Sequence, residues 1–203
     1  MPRSQRVDRI KLIEASFMLL EDGGLGGLTM RRLARHLGVS AASLYWHVSD
    51  KSDLLTLMQE SMLKQASDNA NQAADWHGWL YQFGSALYDL ASGTPKAAQI
   101  FFRSSPRVAE EPSRAKPPSA QLTRFGLDVR TAVRFEAWVI AFAVGCAVRD
   151  QGQFGSPLDG DDTSPSFGFV EGLRALLAGA EQDLGASQYV RQGGELKISA
   201  HGI

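Results

Sequence analysis

The first segment of the chain has the hydrophobic pattern of an amphipathic helix. Within residues 6–22, apolar side chains recur at intervals of three and four positions and share one helical face: Ile10, Ile13, Phe17 and Leu20. The Gly23-Gly24 pair that follows is predicted to end this helix, because glycine is a poor helix former.

The same periodicity continues through the rest of the chain. A long helix is predicted to begin after Ser49 or Asp50, and its apolar stripe comprises Leu54, Leu57, Met58, Ser61 and Met62. Further helices are predicted at residues 76–90, 96–103, 131–149 and 166–183. No segment alternates with the period of a strand, so the sequence predicts an all-α protein.

Glycine and proline mark the segments between these helices. They predict loops at residues 103–119 and 151–165, and a weakly ordered tail at residues 184–203. The helix at residues 131–149 is apolar almost all round, which predicts that it is buried on two sides. The longest apolar run, residues 137–148, is too short to cross a bilayer, so no membrane partner is expected.

Composition narrows the class of protein. The chain has 203 residues and 44% hydrophobic residues, which is ordinary for a globular protein. Its single cysteine, Cys146, excludes an internal disulfide framework and a cysteine-based zinc site. The N-terminus lacks the apolar stretch of a secretory signal, so a cytoplasmic location is expected.

Charge is distributed unevenly, although the net charge is only −1. Residues 1–52 hold eight Lys or Arg and five Asp or Glu, whereas residues 53–203 hold 13 and 17. A small basic module joined to a larger acidic one favours a nucleic-acid partner for the first module.

Residues 29–48 carry the pattern that indicates function. Thr29 is a candidate N-cap for a short helix through His36, and Ser40 for a second helix from Ala41 to about His47. Gly38 lies between them at a turn that a β-carbon would strain. Ala34 allows the two helices to cross closely, and the predicted seam consists of Leu33, Leu37, Val39 and Leu44.

Two short helices joined at a glycine are typical of a helix-turn-helix, whose second helix enters the DNA major groove. Arg31, Arg32 and Arg35 lie on the first helix, where they would approach the duplex backbone. The aromatic residues of the second helix and the local basic excess favour DNA binding. The alternative is an ordinary helix pair with a solvated charged face.

Residues 28–55, LTMRRLARHLGVSAASLYWHVSDKSDLL, resemble the DNA-binding domain of the tetracycline-repressor (TetR) family. The run Leu44-Tyr45-Trp46-His47-Val48, followed by Lys51, is especially similar to the tetracycline repressors within that family. A weaker similarity at residues 125–127, Ala132 and residues 145–151 extends the resemblance into the C-terminal half.

The resemblance implies a two-domain architecture. An N-terminal three-helix helix-turn-helix domain would occupy residues 1–52 and continue into a connecting helix at residues 51–70. A larger helical ligand-binding and dimerisation domain would follow at residues 71–183, and a flexible tail at residues 184–203. The helices at residues 131–149 and 166–183 would form an intersubunit four-helix bundle in a homodimer.

The resemblance also implies DNA contacts residue by residue. Arg31 matches an arginine that contacts a base, and Tyr45 and Lys51 match phosphate contacts. Ser43 and His47 match DNA-facing positions. The chain departs from the tetracycline repressors at Met30, which replaces a threonine, at Ala41, which replaces a base-reading glutamine, and at Ala42, which replaces a proline. DNA binding is therefore expected, but the operator sequence of those repressors does not carry over.

Ordinary structural roles compete with some of these assignments. Tyr45 has the alternative of packing against the first helix. Trp46 is expected in the core, because it lies between two DNA-facing neighbours. His36 is expected to be a solvated surface residue.

Many aromatic residues lie between residues 70 and 183, and most of them are expected to form a helical core. Some could instead line an effector cavity between helices. The candidate effector-binding residues are Phe83, Gln99, Phe101, Arg103, Trp138 and Phe142.

The polar groups by which tetracycline repressors hold a drug–Mg²⁺ complex are replaced here by Ser67, Phe83 and Phe101, according to the resemblance. A small apolar or aromatic effector is therefore expected, and no metal ion or cofactor.

The sequence contains no recognisable catalytic motif. The four histidines lack metal-ligand spacing, and the glycine-rich residues 23–27 lack the Lys-Ser/Thr of a phosphate loop. The sequence therefore predicts a non-enzymatic transcriptional regulator, a repressor that an effector releases from a palindromic operator. The alternative is a dimeric DNA-binding protein that responds to no effector.

Overall fold

Helices form every regular element in the part of the chain that the structure describes. The computed structural model describes residues 8–94, 96–103, 117–153 and 165–191. In chain order, the helices are α1 (Arg9–Gly27), α2 (Met30–Leu37), α3 (Ala41–Leu44), α4 (Lys51–Asn69), α5 (Trp76–Gly93), α6 (Ile100–Arg103), α7 (Ser119–Leu122), α8 (Val129–Val148) and α9 (Pro165–Arg191). The prediction of an all-α fold is confirmed.

Two 3₁₀ turns and one π-helical turn adjoin these helices in the described residues. A 3₁₀ turn at Ala97–Gln99 leads into α6, and another at Thr123–Phe125 follows α7. A π-helical turn, Arg149–Gln153, extends α8. The helix predicted at residues 96–103 is therefore divided between a 3₁₀ turn and the single turn of α6.

The glycine pair breaks α1 without ending it. Gly24 has φ 61° and ψ −167°, a conformation that is essentially restricted to glycine. Helical turns resume after it and reach Gly27, so the predicted end at Gly23-Gly24 is wrong by one turn. The break redirects the last turn of α1 toward the start of α4.

Side-chain caps fix the beginnings of α2, α3 and α4. Thr29 Oγ1 accepts a hydrogen bond from the Arg32 N–H at 3.2 Å, and Ser40 Oγ accepts one from the Ser43 N–H at 3.1 Å. Of the two predicted caps for α4, Asp50 is the cap, because its carboxylate accepts the Asp53 N–H at 2.8 Å.

The hydrophobic core is continuous from α1 to α9. Its largest fully buried side chains include Trp79, Phe83, Phe135 and Phe169. Gly84 lets α8 and α9 approach α5, because a β-carbon there would lie 2.7 Å from Val139 Cγ1 and 3.2 Å from Leu173 Cδ2. Helices α5, α8 and α9 thus pack around one small residue.

One helix in the described residues, Val129–Gly152, is long and apolar enough to cross a membrane, so the prediction that no segment reaches that length is wrong. The predicted apolar run ended at residues 137–148 because only consecutive apolar positions belong to such a run, whereas the whole helix also includes isolated polar residues. Half of the apolar window is buried inside the fold, as in a core helix. The other half remains uncovered within one chain.

Helix α9 is longer than predicted. It runs to Arg191, eight residues beyond the predicted end at Asp183, so the first part of the expected tail is helical. Residues 192–203 of that tail lie outside the described residues. The same holds for residues 104–116 and 154–164 of the two predicted loops.

Candidate nucleic-acid interface

Helices α2 and α3 form the predicted helix-turn-helix. Gly38 has φ 67° and ψ 27°, and its N–H bonds the Arg35 carbonyl at 3.2 Å. The Val39 N–H bonds the Ala34 carbonyl at 3.0 Å, which closes the turn. Leu33 and Leu44 are fully buried between the two helices, as the predicted seam requires.

The three arginines of α2 have different surroundings. Arg31 and Arg35 are exposed to solvent. Arg32 instead bonds the Asp22 carboxylate at 2.6 Å and the Gly27 carbonyl at 3.2 Å, so it braces α2 against the end of α1. The expectation that all three approach the duplex backbone stays a prediction, and Arg32 has in addition a structural role through its partners within the chain.

Helix α3 is only one turn long, although the sequence predicts a helix to about His47. The chain leaves the helix at Tyr45, and the His47 N–H closes a turn on the Leu44 carbonyl at 2.8 Å. Ala41 and Ala42 are exposed at its start, and the Ser43 hydroxyl is within 2.8 Å of the Ser40 hydroxyl. The recognition element is thus one helical turn followed by an irregular turn.

Aromatic side chains project from that irregular turn. Tyr45 is 54% exposed, which disfavours the alternative that it packs against α2. Trp46 is 89% exposed, so the expectation that it belongs to the core is wrong. Because the chain turns after Leu44, the Trp46 side chain leaves the buried seam of the helix pair and enters solvent beside Tyr45. His47 is half-buried.

Lys51 lies at the first position of α4 and is half-buried. Its ammonium donates a hydrogen bond to the Leu25 carbonyl in the last turn of α1. The side chain matched to a phosphate contact therefore also ties the helix-turn-helix to the preceding helix.

The structure separates the six candidate effector-binding residues. Phe83 is fully buried and stacks on Trp79 with ring centroids 4.9 Å apart. Phe142 stacks on Phe169 at 5.7 Å. Trp138 is 37% exposed on α8, with the Arg134 guanidinium 5.3 Å above its ring.

Gln99 and Arg103 belong to the segment around α6 and face the end of α1 and the start of α4. Phe101 is half-buried on α6. Trp138 is the most exposed of the four candidate aromatic residues, and its assignment to an effector cavity stays a prediction. Periodicity places it on α8 but does not reveal which side of α8 remains uncovered.

A cleft of about 510 Å³ lies where the N-terminal helices meet α6, and we call it the junction cleft. Leu25 and Gly26 contribute from α1, Lys51 and Leu55 from α4, and Gln99 and Arg103 from the segment around α6. Sequence reasoning missed this site, because no local pattern indicates that these three segments meet.

A polar contact joins the ends of α5 and α8. The Tyr88 hydroxyl donates to the Asp150 carboxylate at 2.7 Å, and its ring stacks on Phe169 with centroids 4.0 Å apart. Burial, together with the neighbouring Asp150 carboxylate, raises the pKa of Tyr88 to about 12. The Gln151 amide donates to the Ala91 carbonyl at 2.7 Å, which secures the last turn of α5.

The carboxyl group of Glu136 accepts a hydrogen bond from the backbone of another helix. Glu136 of α8 accepts the Ser119 N–H at 2.7 Å at the start of α7. Burial raises the pKa of Glu136 above its ordinary value. Within the described ranges, His, Cys, Asp and Glu form no group of three or more that could hold a metal ion.

Comparison with known proteins supports the assignment of the helix-turn-helix. Residues 12–58 match the model of the family described as bacterial regulatory proteins, tetR family. These residues include all of α2 and α3, and therefore the helix-turn-helix.

Curated relatives match the chain over greater length. The class D tetracycline repressor of Escherichia coli is 26% identical over 95% of this chain and 98% of the relative. The class C repressor of Escherichia coli is 38% identical over 37% of this chain and 35% of that protein. The resemblance therefore extends well past the helix-turn-helix.

Solved structures share the fold over most of the chain. A possible TetR-family transcriptional regulator from Streptomyces coelicolor A3(2) is 26% identical, with a TM-score of 0.66 over 86% of this chain and 99% of that one. A class A TetR in complex with 5a,6-anhydrotetracycline and magnesium is 26% identical, with a TM-score of 0.62 over 84% and 96% of the two chains.

An exposed helix-turn-helix on a larger helical body defines the class of this molecule as a DNA-binding transcriptional regulator. Residues 12–58 belong to the tetR family of bacterial regulatory proteins by their match to its model, and the similarities over the rest of the chain support a TetR-family regulator. The relatives named above are regulators rather than enzymes.

Proposed function

We propose that this regulator is a homodimeric repressor that binds a palindromic operator and is released by a small effector. The observation that carries the proposal is the surface of the recognition element. Ala41, Ala42 and Tyr45 are exposed, as is Arg31 on the preceding helix, and no acidic side chain belongs to residues 29–48. A short helix with a basic neighbour is the geometry by which helix-turn-helix proteins enter a major groove.

The DNA contacts divide into two kinds. Arg31 reads a base, because an exposed guanidinium can reach a guanine edge with two hydrogen bonds. Tyr45 and Lys51 hold phosphates, and Ser43 and His47 lie against the backbone between them. Ala41 and Ala42 offer only apolar contact, for instance to a thymine methyl group.

The domain division supports this arrangement. Residues 1–52 form the DNA-binding domain and continue through residues 51–70 into the body of the protein. Residues 71–183 form the regulatory and dimerisation domain.

Dimerisation uses the uncovered faces of α8 and α9. Val133 is 50% exposed, and Ala137, Ala141 and Gly145 follow it at four-residue intervals on the same exposed face of α8. Ala175, Ala178 and Gly179 are exposed on α9. Small residues allow the helices of two subunits to approach closely, and a four-helix bundle would bury well over ~1,000 Å² in total.

A two-fold symmetric dimer would bind a palindromic operator. Two recognition elements about 34–36 Å apart reach successive major grooves on one side of the duplex. An effector that favours a different separation would weaken operator binding with a coupling of about 1–3 kcal/mol, or roughly 5–150-fold. The cytoplasm, where the operator is accessible, is the location that this function requires.

The test combines mass and DNA affinity. Light scattering at micromolar concentration is expected to give twice the 22.1 kDa chain mass. Fluorescence anisotropy with DNA that flanks the protein's own gene is expected to show two chains per site and tighter binding than random DNA of equal length. A monomer in solution, or equal affinity for both DNAs, would contradict the proposal.

A library of small aromatic compounds separates the two remaining candidates. Release of the DNA by a compound supports the effector-responsive repressor. Specific DNA binding that no compound changes would favour the alternative of a dimeric DNA-binding protein without an effector.

A further inference from the structure

The junction cleft has the size and position of a ligand site. Its volume of about 510 Å³ lies within the range of ~300–1,000 Å³ that small-molecule sites occupy. The walls come from two parts of the protein, because Leu25 and Lys51 belong to the N-terminal helices and Gln99 and Arg103 to the segment around α6. A ligand there would touch both parts at once.

The charges in the cleft select an anion. Lys51 and Arg103 are both cationic, and no carboxylate lines the cleft among the residues that the structure describes. The planar guanidinium of Arg103 fits a carboxylate with two parallel hydrogen bonds. The Lys51 ammonium has three donors, so its bond to the Leu25 carbonyl leaves it able to bind a ligand as well.

The remaining walls combine two leucines with the polar side chains of Ser52 and Gln99, so they suit a ligand with an apolar part. Leu25 is half-buried and Leu55 is buried, and they lie on the two N-terminal helices that border the cleft. Gln99 adds an amide that can both donate and accept. These groups together suit a flat ring system that carries one acidic group.

We propose that the junction cleft binds a small aromatic carboxylate, held by Arg103 and Lys51, and that this anion competes with DNA phosphate for Lys51. The second half of this inference rests on the proposed DNA contact of Lys51, whereas the binding site itself does not. Because linkage is reciprocal, DNA would weaken binding of the anion by the same factor by which the anion weakens binding of DNA.

Calorimetric titration of the full-length protein with 2-naphthoate tests the site, with 2-naphthamide as a neutral ligand of nearly the same shape. We expect 2-naphthoate to bind and 2-naphthamide to bind about tenfold more weakly or worse, because hydrogen bonds to a charged group are the stronger kind. Equal affinities, or no binding of 2-naphthoate at millimolar concentration, would overturn the proposal.

A charge variant locates the site. Arg103→Gln is expected to weaken 2-naphthoate binding about tenfold. Lys64→Gln makes the same charge change on the exposed surface of α4 and is expected to leave the affinity within about twofold. Equal affinities of the Arg103 variant and the parent protein would overturn the proposal.

A second variant blocks the cleft without removing a charge. Nothing lies within 4 Å of a β-carbon built on Gly26, so Gly26→Leu fills open space in the cleft and is expected to abolish binding of 2-naphthoate. Gly93→Leu is the matched control, because Gly93 also has open space beside it but does not line the cleft. Unchanged binding by the Gly26 variant would count against this location.

Anisotropy with labelled DNA then tests the competition. Saturating 2-naphthoate is expected to weaken DNA binding of the parent protein at least fivefold, which is the lower end of typical allosteric coupling. Gly26→Leu should bind DNA but no longer respond. No effect on the parent protein would refute the competition, whereas a protein that binds no DNA at all would refute the proposed function and leave the calorimetric result intact.

Discussion

The side chain of Lys96 lies over the α-carbon of Gly24. A β-carbon on Gly24 would be 2.7 Å from Lys96 Nζ and 2.8 Å from Lys96 Cδ. Both residues have positive φ, 61° at Gly24 and 65° at Lys96. The break in α1 is therefore packed against the segment that leads into α6.

Gly24→Ala is expected to lower the free energy of unfolding by about 1–3 kcal/mol, because alanine cannot adopt this backbone conformation without strain. Urea denaturation of the full-length chain measures the change. Gly26→Ala is the control: it lies two residues later in open space and should be neutral or stabilising by up to about 1 kcal/mol. Equal effects of the two substitutions would show that the contact with Lys96 and the strain at Gly24 are unimportant.

Arg31 and Lys51 should have different effects on DNA binding. Arg31→Ala is expected to weaken specific binding by about 1–3 kcal/mol and to relax the preference at one base pair in each half-site. Lys51→Ala should weaken all DNA sequences alike and reduce the salt dependence by about one phosphate contact. Anisotropy titrations on operator and random DNA at several salt concentrations distinguish the two.

Arg32→Ala serves as a control in that series. Arg32 bonds Asp22 and Gly27, so its replacement should lower the free energy of unfolding. It should leave the preference for operator over random DNA nearly unchanged. If Arg31→Ala and Lys51→Ala reduce binding to specific and random DNA to the same extent, the assignment of a base contact to Arg31 is refuted.

Removal of Trp46 should affect stability far less than removal of Trp79. Trp46 is 89% exposed, so Trp46→Ala is expected to change the free energy of unfolding by no more than about 0.5 kcal/mol. Trp79 is fully buried and stacked on Phe83, and Trp79→Ala should cost about 3–5 kcal/mol. Urea denaturation tests both, and a large loss of stability on removal of Trp46 would place that side chain in a contact that the structure lacks.

Local features of the fold were predictable because short-range chemistry determines them. Thr29 and Ser40 cap their helices through bonds that span three residues, and Gly38 alone supplies the left-handed turn between them. The helix-turn-helix could therefore be placed from twenty residues. The same reasoning could not decide between Ser49 and Asp50 as the cap of α4, because both side chains can accept the required bond.

Long-range contacts were not predictable in the same way. The exposure of Trp46 depends on the chain leaving α3 one turn early, and periodicity predicted a longer helix. The outward position of Trp138 and the meeting of Lys51 with Arg103 depend on how whole helices pack. Hydrophobic patterns indicate that a helix is buried, but they do not specify which distant segment covers it.

Removal of the half-buried carboxyl group of Glu136 should change the pH dependence of stability. Burial raises the pKa of Glu136 above its ordinary value of 4.5, so the folded protein holds this proton more tightly than the unfolded chain. The group therefore favours folding at pH values below 4.5, and this contribution is lost as the pH rises through the raised pKa.

Glu136→Gln removes the charge and keeps an acceptor for the Ser119 N–H. We expect the variant to lose less stability than the parent protein between about pH 4.5 and neutrality, measured as the free energy of unfolding in urea at several pH values. Identical slopes for the two proteins would contradict a raised pKa at Glu136.

Tetracycline should not act on this protein through magnesium. According to the resemblance, Phe101, Ser67 and Phe83 occupy the positions of the polar groups that hold the drug–metal complex, and in this structure Phe83 is fully buried and Phe101 half-buried. Each polar drug group left unpaired costs about 1–3 kcal/mol. Three such losses exceed the ~0.5–1.5 kcal/mol that an aromatic contact returns.

Calorimetric titration with tetracycline, first with Mg²⁺ and then with EDTA, measures this directly. A class A TetR, whose complex with 5a,6-anhydrotetracycline and magnesium is known, provides the positive control. We expect no heat that depends on Mg²⁺ from the present protein. Submicromolar affinity that disappears on chelation would show that other side chains ligate the ion, and that the match of Phe101 to the metal-binding position is wrong.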